Sequence, residues 1–212
     1  MNEKIYNIIK HRILSLHYEP GQNLDLKKLA KEQGVSLTPI REVLLRLEWE
    51  KIVTIFPRMG IQVTKIDFKE LKEVYRSRYL IEGELGRLAA MGITDKQLQE
   101  MKKILVSCKQ IKGERVRKEL VELDSKFRNV LFQAANCRTL QDLSELLYNQ
   151  TLRVWYLTFD ETDVSSEVNM EANEIKNTID ALSRKDQKTG QDLRRKVIMN
   201  WADRLHKYFT RF

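Results

Sequence analysis

Two short amphipathic segments separated by a single glycine constrain the fold of this chain more than any other feature. Asp25 is placed to cap the first segment as a helix. Gly34 follows that segment and suits the left-handed conformation in which many helices end. The second segment runs to about Glu50, with Thr38 as a good N-cap and Pro39 at the first helical position. The spacing therefore predicts a helix-turn-helix.

An amphipathic helix precedes this pair and a hairpin follows it. Apolar residues recur at spacings of three and four between Glu3 and Leu16, which predicts the first helix. Residues 52–56 and 61–64 are β-prone runs with Gly60 between them, near the tip of the predicted hairpin. A hairpin directly after a helix-turn-helix is a wing. We therefore predict a winged helix-turn-helix domain over residues 1–65.

Residues 66–212 are predicted to form an all-helical bundle, so the fold class is mostly α. The 212 residues include only 8 Gly and 3 Pro, and scarce helix breakers favour helices. Helical periodicity predicts six helices, at residues 67–91, 94–112, 114–136, 139–159, 165–184 and 188–210.

The charge balance favours nucleic acid as a partner only weakly. Residues 1–65 hold 11 Lys and Arg against 7 Asp and Glu, which is half of the net charge of +8 in under a third of the chain. A basic module can neutralise phosphates. The alternative is a solvated surface with a mild positive bias.

Other classes of protein are disfavoured by what the sequence lacks. Cys108 and Cys137 have no metal-binding spacing, which predicts two free thiols. The charged N-terminal stretch does not resemble a signal peptide, and no run of residues is long and apolar enough for a membrane span. We therefore expect a cytoplasmic protein with no membrane partner. Without a Gly-rich phosphate loop and with only 3 His, the chain is not expected to be an enzyme.

The start of the second helix carries the candidate DNA-reading residues. In a helix-turn-helix, these residues face base edges in the major groove. Ser36 and Thr38 can donate to phosphate, and Arg41 can pair with guanine O6 and N7. Arg46 lies where it could reach the DNA backbone, and Arg58 of the wing could contact phosphate or the minor groove. Each of these residues could instead be a helix cap or an ordinary surface residue. The predicted DNA-binding residues are Ser36, Leu37, Thr38, Arg41, Arg46, Arg58 and Gly60.

The run from Tyr18 to Val63 resembles the GntR family of bacterial regulators. The resemblance is carried by PGQ, by LAKEQGVSLTPIREVLLRLE and by Gly60 of the wing. It implies a transcription regulator that binds double-stranded operator DNA. The chain has Leu37 where the family usually has Arg, and Lys51 where it usually has Gly. Loss of that Arg removes a phosphate or base contact, which leaves the operator sequence open.

Residues 67–210 resemble the all-helical effector domain of the FadR-like branch of that family, known as FCD. The match rests on EVYRSRYLIEGELGRLAA and DSKFRNVLFQAAN. The resemblance implies a domain that binds a small-molecule effector and forms a homodimer. A homodimer also suits helix-turn-helix recognition, because two recognition helices read a palindromic operator.

The residues that hold a metal in many FCD domains are replaced in this chain. Such domains use one Asp and three His, beginning with Asp-x-x-x-His on one helix face. Asp124 is present, but Arg128 stands at the His position and Ile175 at the second His position. The third position falls within residues 197–200, which hold no His. We therefore predict no metal site and no cofactor.

Arg128 suggests a different kind of effector site. A guanidinium can pair with Asp124 at i,i+4 and still donate to an anionic effector such as a carboxylate or acyl compound. Arg78, Arg153 and Tyr156 are further candidates for this site. The alternative is a closed ion pair in a filled cavity, so that the helical domain only dimerises. An anion site at Arg128 predicts a ligand-responsive regulator, most simply a repressor. A closed ion pair predicts a DNA-binding dimer that has lost effector sensing.

Overall fold

The structure, a computed structural model, describes residues 2–113, 115–159 and 163–209. The helices of this part of the chain are α1 (Asn2–Leu14), α2 (Leu26–Gln33), α3 (Leu37–Trp49), α4 (Phe68–Gly92), α5 (Asp95–Gln110), α6 (Val116–Ala135), α7 (Arg138–Thr158), α8 (Val164–Ser183) and α9 (Gln187–Phe209). The strands are β1 (Asn23–Leu24), β2 (Val53–Phe56) and β3 (Gly60–Val63). The mostly helical fold class is confirmed, and the predicted helix ends lie within two residues of the observed ones.

Residues 1–71 and Tyr148–Leu157 form the first of two compact units. Its core is built from the inner faces of α1 and α3, where Ile9, Ile13, Ile40, Leu44 and Leu47 are fully buried. The predicted wing is confirmed, because β2 pairs antiparallel with β3 in the register Val53↔Val63. The strand β1 was not predicted, and it pairs antiparallel with β3 to give the sheet order β1-β3-β2.

Residues 72–147 and 158–212 form the second unit. Its helices bury an apolar core in which Leu85, Met101, Phe127, Leu131, Ile175 and Leu182 are almost inaccessible to solvent. The α5 helix begins with a capping box, in which the side chains of Thr94 and Gln97 each accept a hydrogen bond from the other residue's backbone N–H. Cys108 and Cys137 are free thiols, as predicted. None of the helices in the described ranges is long and apolar enough to cross a membrane.

Candidate nucleic-acid interface and buried charge cluster

The helix-turn-helix is fixed at both ends of α2. The Asp25 carboxylate accepts hydrogen bonds from the backbone N–H groups of Lys27 and Lys28, at 2.8 and 3.1 Å. These two bonds satisfy donors that have no acceptor within the helix. At the other end Gly34 has φ 64°, the left-handed conformation that the sequence predicted. The caps at both ends of α2 and the turn at Gly34 therefore hold α3 in place relative to α2.

The N-cap of α3 is Ser36, and the prediction that Thr38 takes this role is wrong. Ser36 has extended backbone angles, whereas Thr38 and Pro39 lie inside the first helical turn. Proline is tolerated there because the N–H groups of the first turn have no acceptor within the helix. The Ser36 side chain makes no capping hydrogen bond to any described residue.

The α3 helix has one buried face and one exposed face. Ile40, Val43, Leu44 and Leu47 pack into the core of the unit. Ser36, Thr38 and Arg41 are exposed, and Leu37 is half-buried. The exposed residues lie at the N-terminal end of the helix, where the backbone N–H groups also favour a negative partner.

Arg46, further along α3, is engaged by α1. Its Nη1 lies 2.7 Å from a carboxylate oxygen of Glu3, and its guanidinium stacks 3.5 Å from the ring centre of Tyr6. The hydrogen bond to Glu3 raises the pKa of Arg46. Arg46 therefore helps to hold the two helices together, and its contact with DNA stays a prediction.

The wing ends in a tight turn that exposes Arg58. The backbone N–H of Met59 donates to the carbonyl of Phe56 at 3.1 Å, and Pro57 comes second in the turn. Arg58 comes third and has φ 64°. A proline followed by a positive φ is typical of a type II turn, in which this third position usually holds Gly or Asn. Arg58 and Gly60, on either side of Met59, are both exposed.

The second unit contains a buried ionic group, which we call the Glu82 cluster. Its members are Arg78 and Glu82 of α4, Arg128 of α6, Ser144 of α7, Glu174 of α8 and Arg194 of α9. Arg128 donates to Glu82 at 3.1 Å and to the Ser144 hydroxyl at 2.8 Å. Ser144 in turn donates to Glu82 at 2.6 Å.

Arg194 completes the cluster on its other side. It donates to Glu82 at 2.8 Å and to Glu174 at 2.6 Å. Arg78 lies 3.8 Å from Glu82. Five helices of the unit thus supply side chains that meet around one carboxylate, and the Glu82 side chain is fully inaccessible to solvent.

Positive charge outweighs burial at Glu82. Burial by itself raises the pKa of this carboxyl group. The three guanidiniums of the cluster and the Ser144 hydrogen bond act in the opposite direction and hold the pKa of Glu82 well below its ordinary range. Removing one member of such a buried pair typically costs about 3–5 kcal/mol, because the remaining charge has no partner.

The buried polar atoms that lack a hydrogen-bond partner among the described residues include Nε of Arg194, within the cluster, and Oε1 of the nearby Glu171. Burial, followed by the negative charges of Asp124 and Glu174, raises the pKa of Glu171 well above its ordinary value. The shift favours the neutral form of the Glu171 carboxyl group.

Comparison with known proteins identifies both units. Residues 1–63 match the profile of the bacterial regulatory proteins, gntR family. Residues 73–198, more than half of the chain, match the FCD domain. The chain belongs to the GntR family. FCD domains are a class of ligand-sensing domain, and the protein is a DNA-binding transcription regulator rather than an enzyme.

Two regulators of Escherichia coli K12 are among the relatives of this GntR protein. The HTH-type transcriptional regulator McbR is 28% identical over 145 residues, which cover 68% of this chain and 66% of McbR. The HTH-type transcriptional repressor RspR is 29% identical over 160 residues, which cover 76% of this chain and 70% of RspR. The alignment with McbR thus spans about two thirds of that regulator's length.

Solved structures match the fold over nearly the whole chain. E. coli McbR/YncC superposes with a TM-score of 0.81 at 22% identity, covering 98% of both chains. A putative GntR transcriptional regulator from Rhodococcus sp. RHA1 gives a TM-score of 0.74 at 17% identity, covering 97% of both. At these identities the likeness shows the fold alone.

The candidate effector residues of this GntR protein divide between the two units. Arg78 and Arg128 meet at Glu82, as described above, and Asp124 lies near enough to Glu171 to raise its pKa. Arg153 belongs to the first unit, where its Nη1 donates to the carbonyl of Thr64 at 2.7 Å. Burial lowers the pKa of Arg153 to about 10.

Tyr156 also belongs to the first unit. It is buried, and its ring meets that of Trp155 edge-on with 5.3 Å between centres. The effector roles of Arg153 and Tyr156 stay predictions.

The side chains present do not fit the divalent metal that many FCD domains hold. In place of the first His, Arg128 brings a guanidinium to Glu82, and Arg194 brings a second one. Two cations at this position would repel a metal ion. Within residues 2–113, 115–159 and 163–209, no group of three or more His, Cys, Asp or Glu side chains is arranged to hold one.

Four members of the Glu82 cluster were not predicted from the sequence, namely Glu82, Ser144, Glu174 and Arg194. The helical periodicity of the sequence does indicate that two of these residues, Glu82 and Arg194, are buried. Glu82 lies three residues before Leu85, and Arg194 lies three residues before Val197, so both interrupt apolar helix faces. Their pairing with each other could not be derived, because they are 112 residues apart.

Proposed function

We propose that this GntR protein is a homodimeric repressor that binds a palindromic operator and responds to an anionic metabolite. In this proposal, residues 1–65 read the DNA, and residues 66–212 bind the effector and hold the dimer. Two recognition helices related by a twofold axis would contact half-sites about 10 base pairs apart. The protein would act in the cytoplasm, where its operator is.

The observation that carries the DNA-reading part is the exposed N-terminal end of α3. Thr38 and Arg41 are exposed on this surface, beside the first-turn N–H groups. Arg41 has the donors to pair with guanine, and Thr38 can donate to phosphate. The Ser36 hydroxyl makes no capping bond in the described structure, which leaves it available to a phosphate oxygen as well.

The backbone of the wing supports a DNA role for Arg58. A left-handed conformation at a residue other than Gly costs about 1–2 kcal/mol. Such strain often accompanies a functional position. In this proposal the exposed Arg58 side chain enters the minor groove or contacts its phosphates, and Gly60 keeps the adjacent strand free of a side chain.

The repressor assignment rests on a relative. RspR is named a transcriptional repressor, and it matches 76% of this chain. A dimeric protein bound across a promoter can block transcription without any further activity. We therefore assign repression to this chain as well.

The anionic class of effector follows from the charges of the Glu82 cluster. Arg78, Arg128 and Arg194 bring three guanidiniums together inside the FCD domain. Arg194 is 2% exposed, and its buried Nε has no acceptor among the described side chains and carbonyls. An effector carboxylate at this position would supply the missing acceptor and further charge-assisted hydrogen bonds.

A second candidate function is a DNA-binding dimer without a sensor. It is favoured by the direct bonds from Arg128 to Glu82 and Ser144, which a closed structural network would also make. Under this alternative, the cluster only fixes the packing of the five helices.

Thermal melting of the full chain against a panel of small organic acids and fatty acids separates these functions. The proposal predicts that at least one acid raises the melting temperature, because a ligand that binds only the folded state stabilises it. The stabilisation should disappear in Arg128→Gln. Because this variant leaves Glu82 with one partner fewer, the double variant Glu82→Gln/Arg128→Gln is melted beside it.

Arg138→Ala is the matched control, since Arg138 is exposed on α7, where it pairs with Asp142 at 2.9 Å. It should keep the response to the acid. If no acid raises the melting temperature, or if the double variant responds as strongly as the wild type, the anion site is excluded and the sensor-free function is favoured.

A further inference from the structure

Two exposed apolar side chains, Leu45 and Trp49, lie on the face of α3 that carries Thr38 and Arg41, and Leu45 is the one nearer to Arg41. Leu45 follows Arg41 by four residues and Thr38 by seven, so the three side chains share one helix face. Leu45 is 50% exposed. The neighbouring Leu44 and Leu47 are fully buried and fill the core without it.

Glu42, the charged side chain between Arg41 and Leu45, is engaged elsewhere. The Glu42 carboxylate accepts a hydrogen bond from the side-chain amide of Asn2 at 2.7 Å. This bond draws Glu42 toward α1. Leu45 therefore follows Arg41 directly along the face that turns to the DNA.

The major groove offers one apolar group on its base edges, the 5-methyl group of thymine. All other features of these edges are hydrogen-bond donors or acceptors, which leucine cannot pair. Leu45 lies about 6 Å beyond Arg41 along the helix axis, since each residue rises 1.5 Å. Because base pairs are about 3.4 Å apart, this distance spans at most about two base pairs.

On the basis of the DNA-reading function proposed above, we propose that Leu45 is a specificity-determining residue that contacts a thymine methyl group. This thymine lies within about two base pairs of the base that Arg41 reads. The operator of this protein should therefore require a thymine that each half-site presents to Leu45.

Replacement of thymine by uracil tests this contact, because it removes the methyl group and preserves base pairing. The wild-type full chain first selects duplexes from a random pool, and the most enriched duplex is remade with uracil at one thymine at a time. Affinities are measured by fluorescence anisotropy. We expect one position in each half-site where uracil weakens wild-type binding about fourfold, the effect of losing one buried methyl group.

Leu45→Ala completes a double-mutant cycle, in which the leucine and the thymine methyl group are removed singly and together. The variant should bind the thymine and uracil duplexes equally at that position, while Leu143→Ala, which alters a 42% exposed leucine of α7, should discriminate as the wild type does. If no uracil position weakens the wild type, or if Leu45→Ala keeps the discrimination, the contact is excluded although the DNA-binding function stands. If selection enriches no duplex, the proposed DNA-reading function itself fails.

Discussion

Lys51 adopts a backbone conformation that most residues avoid. It follows the C-cap of α3 and has φ 59°. In this left-handed region the Cβ atom of an L-residue crowds the following carbonyl oxygen, at about 1–2 kcal/mol. The strain explains why the family usually has Gly at this position.

Lys51→Gly should therefore stabilise the first unit. Relief of the strain exceeds the entropy that a glycine adds to the unfolded chain, about 0.5–1 kcal/mol. We expect the free energy of unfolding to rise by up to about 1 kcal/mol, measured by urea denaturation of the full chain. Lys31→Gly, within α2, is the control and should lower it by about 0.5–1 kcal/mol. A fall in stability for Lys51→Gly would refute the strain argument.

The N-cap of α3 was harder to predict from the sequence than the helix itself. Ser36 and Thr38 are both good N-caps, and Pro39 after Thr38 made the second choice attractive. The helix begins two residues earlier than that choice requires. Local propensity did not decide between two capping residues this close together.

At the scale of elements, glycines allow α4 and α9 to cross at very short distance. A Cβ atom at Gly190 would lie 2.7 Å from the carbonyl oxygen of Gly86, and a Cβ at Gly86 would lie 2.4 Å from that of Gly190. The obstructing atoms belong to backbone, which cannot rotate away. The crossing also brings Arg194 of α9 to Glu82 of α4.

Gly190→Ala should therefore destabilise the FCD domain. Overpacking of this kind typically costs about 1–3 kcal/mol, and we expect the upper half of that range because the atoms met are backbone. Thermal melting of the variant beside Lys196→Ala, which alters an exposed residue of α9, measures the effect. Equal melting temperatures would show that the two helices can separate freely, contrary to the structure.

Helices were predictable from the sequence and the short strand was not. The helices of the FCD domain repeat their apolar positions over 16 or more residues, which is enough to define a period. The strand β1 has two residues, Asn23 and Leu24, and is defined only by its pairing with β3. Two residues carry no periodicity, so this strand could not be found without the fold.

For the whole molecule, the sequence pattern predicts a DNA-binding domain and an effector domain. It does not predict which side chains form the buried Glu82 cluster of the effector domain. The candidate DNA-reading residues are close in sequence, at the start of one helix and the tip of one hairpin. The Glu82 cluster instead joins five helices, and the partners that lie on different helices are between 16 and 112 residues apart. Such pairs form only when the helices pack together, and the sequence pattern does not show which helix faces meet.

Operator recognition is measured by the affinities of the full chain for the selected duplex and for a scrambled duplex of equal composition. We expect the full chain to prefer the selected duplex by at least about 1,000-fold, as sequence-specific regulators do. Arg41→Ala should reduce that preference by about 5- to 150-fold with little change in binding to the scrambled duplex. Arg138→Ala should bind as the wild type does. Equal affinity of the wild type for both duplexes, or an Arg41→Ala variant with undiminished preference, would contradict the claim that the exposed end of α3 reads an operator.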